Sequence, residues 1–176
     1  MINIINTEEL LCVVDEYDTP LKPEPRHKVF KKGLWRRTVH VWIITDQKEI
    51  LCQKRSLKKD SSPGMWETAI VGHVGPDDNY FTGAVREVFE ETGLDIAMTD
   101  LTLFKIYKDH KFREYRGIFY YRWNGKPHDI KSEKEEVDKV KLIKLDTLKR
   151  NILYRKSPLW FYSGYEKELL SVLNRE

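Results

Sequence analysis

The chain has 176 residues, 40% hydrophobic and 12% aromatic, which is enough to bury the core of one domain and excludes a disordered polypeptide. Lys and Arg total 31 against 28 Asp and Glu, and the net charge of +3 falls well short of a nucleic-acid-binding composition. No stretch approaches the ~20 apolar residues of a membrane span, and the start, Met1 to Glu8, lacks the basic and apolar regions of a signal peptide, so a cytoplasmic location is expected.

Residues 9 to 15 read as a strand, followed by the turn-like run Asp15 to Pro20 and a Pro-containing connector at Pro23-Glu24-Pro25. The stretch from Arg26 to Arg37 mixes basic and aromatic residues; it reads as a solvated connector or as a wall of a pocket for anionic phosphates. From Thr38, Val39, Val41 and Ile43 alternate with Thr38, His40 and Trp42, and Asp46-Gln47-Lys48 turns the chain into a second strand, Ile50 to Arg55. Cys12 and Cys52 lie inside apolar runs and are expected as buried small hydrophobes. Met65 to Val74 continues extended, Tyr80 to Thr92 is helical, and Leu101–Tyr107 and Tyr115–Trp123 form two further strands. A short strand, Val140 to Leu145, precedes helical segments at Thr147 to Ile152 and Tyr165 to Asn174.

The central helix carries the chemistry. Asp77 or Asp78 is placed to cap its N-terminus, and Gly93 sits where a left-handed C-terminal residue is wanted. Phe81, Ala84, Val85 and Val88 fall at i, i+3, i+4 and i+7, an apolar stripe for packing on a sheet. Glu87, Glu90 and Glu91 fall at i, i+3 and i+4 on another face, where their like charges repel unless a cation relieves them. Clustered hard oxygens suit Mg²⁺ or Mn²⁺, although a helix charge pattern by itself favours a solvated acidic face.

Gly72, Asp78, Arg86, Glu87, Val88, Glu90, Glu91, Gly93 and Leu94 resemble the Nudix box: Gly, five residues, Glu, seven residues, then Arg-Glu-aliphatic-any-Glu-Glu-any-Gly-aliphatic. Every spacing agrees, and Leu51 to Arg55 and Pro63 to Trp66 resemble the strands that enter the box. The resemblance implies a Nudix α/β/α sandwich on a mixed β-sheet, class α/β, as one domain over 1–176, with an N-terminal strand and connector at 1–37 and the box at 72–94. It further implies that Glu87, Glu90, Glu91 and the Gly72 carbonyl bind Mg²⁺ or Mn²⁺, and that Arg86 orients a glutamate. Asp78 stands where the pattern has Glu and is one methylene shorter, so its part in metal binding is an open question. Glu87 is the first candidate for the base and Glu114 the second. Arg55, Lys54, His73 and Trp66 are candidate substrate contacts. The expected activity is hydrolysis of a diphosphate linkage in a nucleotide or other small organic diphosphate; membrane and nucleic acid are not expected as partners, and a homodimer is left open.

Trp35 to Trp42, Gly72-His73 and Ser157 to Trp160 resemble the branch that includes isopentenyl-diphosphate isomerase and its hydrolase relatives. Isomerases of that branch carry a catalytic Cys where this chain has Val71. His73 and Glu114 match two positions of the isomerase metal site, whereas Arg36 replaces a His, Phe112 replaces a Glu, and His27 is only a near match. A hydrolase is therefore favoured over an isomerase. A Nudix-fold sensor that binds without cleaving has no need of the intact glutamates.

Overall fold

In the long strand Trp35–Ile44 the side chains divide between two cores, and that division sets the layers of the molecule. The computed structural model describes residues 9–59, 62–132, 135, 137–153, 160 and 163–175. Its strands are β1 (Leu10–Leu11), β2 (Val13–Val14), β3 (Glu24–Pro25), β4 (Trp35–Ile44), β5 (Glu49–Arg55), β6 (Trp66–Glu67), β7 (Ile70–His73), β8 (Leu101–Asp109), β9 (Glu114–Arg122) and β10 (Val137–Lys144). The α-helices are α1 (Arg26–Lys32), α2 (Tyr80–Thr92), α3 (Leu145–Leu153) and α4 (Glu166–Leu173). Met1 to Glu8 and Ser157 to Leu159, both used in the sequence reading, lie outside the described residues.

The main sheet runs β10-β5-β4-β9-β8, with β2 and β7 on β4 and β6 on β5. It is mixed, because β4 and β9 are parallel from Arg36↔Glu114 to Ile44↔Arg122 while the other pairings are antiparallel. Val39, Val41 and Ile43 bury against Tyr80, Ala84 and Val88 of α2. Trp42 and Ile44 face the opposite way, into a core with Leu148, Leu169, Leu170 and Leu173 of α3 and α4. Period-two alternation thus gives each face of the sheet its own helix layer, and the α/β/α sandwich follows. Cys12 and Cys52 are both buried and free, as expected.

Four local readings change. The strand expected over 9–15 is split at Cys12, whose N–H donates to the Val74 carbonyl (2.9 Å) and whose carbonyl accepts from Arg37 N–H (3.3 Å). β4 begins at Trp35 rather than Thr38, because Trp35 and Arg36 pair with β2. The basic stretch, expected as a connector or as a pocket wall, contains a helix, α1. Val29 on its inner side is fully buried with Leu11 and Val13, and Gly33 ends it in the left-handed conformation at φ 59°. Apolar burial of that one residue against β1 and β2, invisible in a basic-aromatic pattern, turns a connector into a packed element.

The fourth change lies at the start of α2. Asn79, not Asp77 or Asp78, is the cap: its side-chain oxygen accepts from Phe81 N (2.8 Å) and Thr82 N (3.1 Å), and Thr82 Oγ1 accepts in return from Asn79 N (2.9 Å). Asp78 is committed elsewhere, accepting from Gly75 N (3.3 Å) and Arg86 Nε (3.1 Å). At the other end Gly93 adopts φ 70°, as its position demands.

Candidate active site

Packing of α2 on β7 brings the box together. β7 pairs with β4 from Val41↔Ile70 to Thr38↔His73, which turns the backbone of Gly72 toward α2 and the side chains of Val71 and His73 the other way. Glu87 rises from α2 directly against Gly72: a Cβ there would lie 1.8 Å from Glu87 Cδ. Glycine is needed at this point for close approach, whatever the local dihedrals.

Arg86 ties the two elements. Its Nη2 donates to the His73 carbonyl (2.7 Å), its Nε to Asp78 Oδ2 (3.1 Å), and its Nη1 to both Glu87 Oε1 (2.8 Å) and Glu90 Oε2 (3.1 Å). Glu91 accepts from Gln53 Nε2 of β5 at 2.9 Å. Burial raises the pKa of Glu87 above the usual carboxylate range, and the adjacent Arg86 opposes that shift. A half-buried carboxylate with a raised pKa is a better proton acceptor than an exposed one.

These groups line a cleft of about 570 Å³. Glu9, Glu87, Glu90 and Glu91 provide its acidic side chains; Arg26, Arg55, Lys59 and Arg86 provide its basic ones, with Val71, Gly72, His73 and Val137 between them. Sequence reasoning had placed Gly72, His73, Arg55, Arg86, Glu87, Glu90 and Glu91 at the site, and the cleft unites all seven. The three glutamates share the pocket as expected, but among the described residues no three acidic, His or Cys side chains are gathered tightly enough to grip one cation. The physical reason is Arg86, whose guanidinium lies between Glu87 and Glu90 and supplies the counter-charge there. As a donor set, the three carboxylates are of the hard oxygen type that suits a divalent ion such as Mg²⁺ or Mn²⁺.

Four other candidates lie elsewhere among the described residues. Lys54 points to Asp138 (3.3 Å) on β10, because its neighbour Arg55 takes the side of β5 that faces the cleft. Trp66 stacks on Trp160, ring centroids 5.8 Å apart, and packs against the core formed with α3 and α4. Asp78 is spent on Gly75 and Arg86, so its contact with the site runs through the arginine. Glu114, the second candidate for the base, is buried: Oε1 accepts from Arg36 Nη2 (2.5 Å) and Oε2 from Arg116 Nε (2.8 Å).

Arg55 itself donates to Glu67 at 3.0 Å, which holds it at the rim. His73 packs edge-on against Phe30, ring centroids 5.8 Å apart. Burial pushes its pKa down to about 3, with Arg26, Arg36 and Arg86 adding to the effect, so the imidazole is neutral at ordinary pH. Glu9 and Lys59 were missed, and Arg26 was covered only by the reading of its stretch as a connector or a pocket wall. Arg26 belongs to the basic stretch, the one available signal; nothing in the sequence marks Glu9, which reaches the cleft only because β1 pairs with β3.

The sequence profile of the NUDIX domain matches residues 34–161. The chain belongs to the Nudix family. An uncharacterized Nudix hydrolase of Clostridium acetobutylicum is 28% identical over 152 residues, covering 81% of this chain and 73% of that protein. An isopentenyl-diphosphate Delta-isomerase of Photorhabdus laumondii is 26% identical over 148 residues, covering 82% and 84%. A Deinococcus radiodurans crystal structure superimposes with a TM-score of 0.70 at 19% identity, covering 94% of this chain and 99% of that one, a likeness of fold. Membership, with the Arg86-Glu87 and Glu90-Glu91 core of the box present, places the chain among the Nudix pyrophosphohydrolases. Among the described residues no helix is long and apolar enough to cross a membrane.

Proposed function

We propose that this Nudix protein hydrolyses a diphosphate linkage in a small organic substrate with the help of Mg²⁺ or Mn²⁺, held by Glu87, Glu90, Glu91 and the Gly72 carbonyl. The observation that carries the reading is the buried Glu87 carboxyl, pressed on Gly72 and bound to Arg86, in one cleft with Glu90 and Glu91. A divalent ion bound there would neutralise charge on the phosphoryl oxygens and lower the pKa of water.

The chain's own residues supply the rest. Water attacks one phosphorus, the bond from that phosphorus to the bridging oxygen breaks, and the proton of the water passes to Glu87. Glu87 suits this step because its carboxyl is pressed on Gly72 at the cleft wall and Arg86 fixes its orientation. Glu114 is the weaker candidate for the base, since each of its oxygens already accepts from an arginine. Arg55 and His73, on the cleft wall, are the substrate contacts.

The isomerase reading is disfavoured by Val71, which lines the cleft and is 39% exposed. Its side chain neither gives nor takes a proton, and isomerisation of an alkene needs both acts. A screen for phosphate release from nucleoside and isoprenoid diphosphates tests the function. Activity that appears with Mg²⁺ or Mn²⁺ and vanishes on chelation supports it; activity indifferent to chelation overturns the metal dependence.

A further inference from the structure

The family profile begins at residue 34, yet the cleft has two lining residues from before that point, Glu9 and Arg26. They are held face to face twice: Arg26 N–H donates to the Glu9 carbonyl at 2.8 Å, and Arg26 Nη1 to Glu9 Oε2 at 2.8 Å. Glu9 Oε1 stands 3.8 Å from His73 Nδ1. The flap that carries them is anchored firmly. Its β2 pairs with β4 at Val13↔Arg36 and Val14↔Trp35, Cys12 bonds Val74 just beyond His73, and Val29 closes a small core with Leu11 and Val13.

A carboxylate thus sits against an arginine, with the neutral His73 ring 3.8 Å away, in a cleft also lined by Arg55, Lys59 and Arg86. It is lightly held. Both side chains are part-exposed, 43% for Arg26 and 33% for Glu9, and ion pairs at such exposure are readily exchanged. A phosphate carries more charge than a carboxylate and offers more acceptor oxygens to a guanidinium.

We infer that Arg26 is a substrate-binding residue that takes a phosphate oxygen of the diphosphate, and that Glu9 occupies this position as an internal stand-in until the ligand displaces it. The substrate class is one whose phosphate reaches the wall of the cleft that Arg26 lines. The inference rests on the hydrolase reading only in taking the ligand to be a diphosphate.

The test is calorimetric binding of methylenediphosphonate, a diphosphate analogue whose P–C–P bridge cannot be hydrolysed, to the full chain with Mg²⁺. Arg26→Gln should weaken binding by about tenfold or more, Arg26→Lys by less, and Glu9→Gln should tighten it severalfold by removing the competitor. Melting temperatures of the three variants report whether the flap remains folded. Arg26→Gln binding as tightly as wild type would overturn the inference. So would equal weakening by Arg26→Gln and Glu9→Gln, which marks a structural latch, or no saturable binding to wild type. The two readings fail separately: binding with these dependences but no hydrolysis of any diphosphate sinks the enzyme reading alone, whereas hydrolysis with KM untouched by Arg26→Gln sinks this one alone.

Discussion

Glu87 and Gly72 touch across the boundary between helix and sheet, with no room for a methyl group: a Cβ on residue 72 would come within 1.8 Å of Glu87 Cδ and 2.0 Å of its Oε2. Gly72→Ala must therefore move the glutamate away from the β7 backbone and from Arg86. The expected stability loss is about 1–3 kcal/mol, the usual cost of overpacking, and kcat should fall about 10²-fold because the base is displaced. Chemical denaturation together with steady-state kinetics checks this; a Gly72→Ala enzyme with native kcat would remove Glu87 from its assigned position.

The part of the site that was legible in the sequence is the helix α2 with the box residues Gly72 and His73 before it and Arg55 on β5. Glu87, Glu90 and Glu91 share a cleft because i, i+3 and i+4 spacing dictates it, and Gly93 ends α2 because a left-handed residue is required there. Relations between distant segments were not legible. The pair Arg36–Glu114 spans 78 residues and depends on the parallel register of β4 and β9. Trp66, a candidate substrate contact, stacks on Trp160, a residue 94 positions away that is not part of the box. Helix α1 hides in a basic stretch because a single buried side chain, Val29, decides its packing.

Glu114 gives a test that separates structure from catalysis. Its carboxylate is buried between the guanidinium groups of Arg36 and Arg116, and Arg116 also pairs with Asp109 at 3.0 Å. Glu114→Gln removes the negative charge and leaves Arg36, whose Nε already has no hydrogen-bond partner, without its ion pair. The predicted loss is about 3–5 kcal/mol of stability, the cost of breaking a buried pair from one side. The fraction that remains folded should turn over within a fewfold of wild type. A stable Glu114→Gln protein with turnover reduced by orders of magnitude would instead make Glu114 the base.

Two buried histidines set an expected dependence of stability on pH. Burial lowers the pKa of His40 well below its ordinary 6.5, with Arg116 and His73 contributing, and the His40 ring pairs with the Tyr165 hydroxyl at 2.9 Å. His73 is lowered to about 3. In the unfolded chain both regain a pKa near 6.5, so below that pH the unfolded state binds more protons and the native state loses stability. The contribution is complete above about pH 6.5 and falls by up to about 1.4 kcal/mol per pH unit for each histidine on acidification. Glu67, Glu87 and Glu166, raised by burial, act in the opposite sense at lower pH, so the window to examine is about pH 7 to 5. Denaturant midpoints should drop across it, and His40→Gln should remove about half of the drop. A flat profile in the wild type would contradict the neutral, buried state of both rings.

The central claim, that the glutamates of α2 serve hydrolysis, is met most directly by phosphate release measured side by side for wild type and Glu91→Gln. The panel would hold nucleoside and isoprenoid diphosphates with Mg²⁺. Glu91 accepts from Gln53 at the cleft wall, and the Gln replacement keeps its volume while removing one ligand charge. The account predicts phosphate from at least one substrate with wild type, a loss of about 10²-fold or more in kcat with Glu91→Gln, and an unchanged melting temperature. Wild type that converts isopentenyl to dimethylallyl diphosphate and releases no phosphate, or a Glu91→Gln protein as active as wild type, would contradict it.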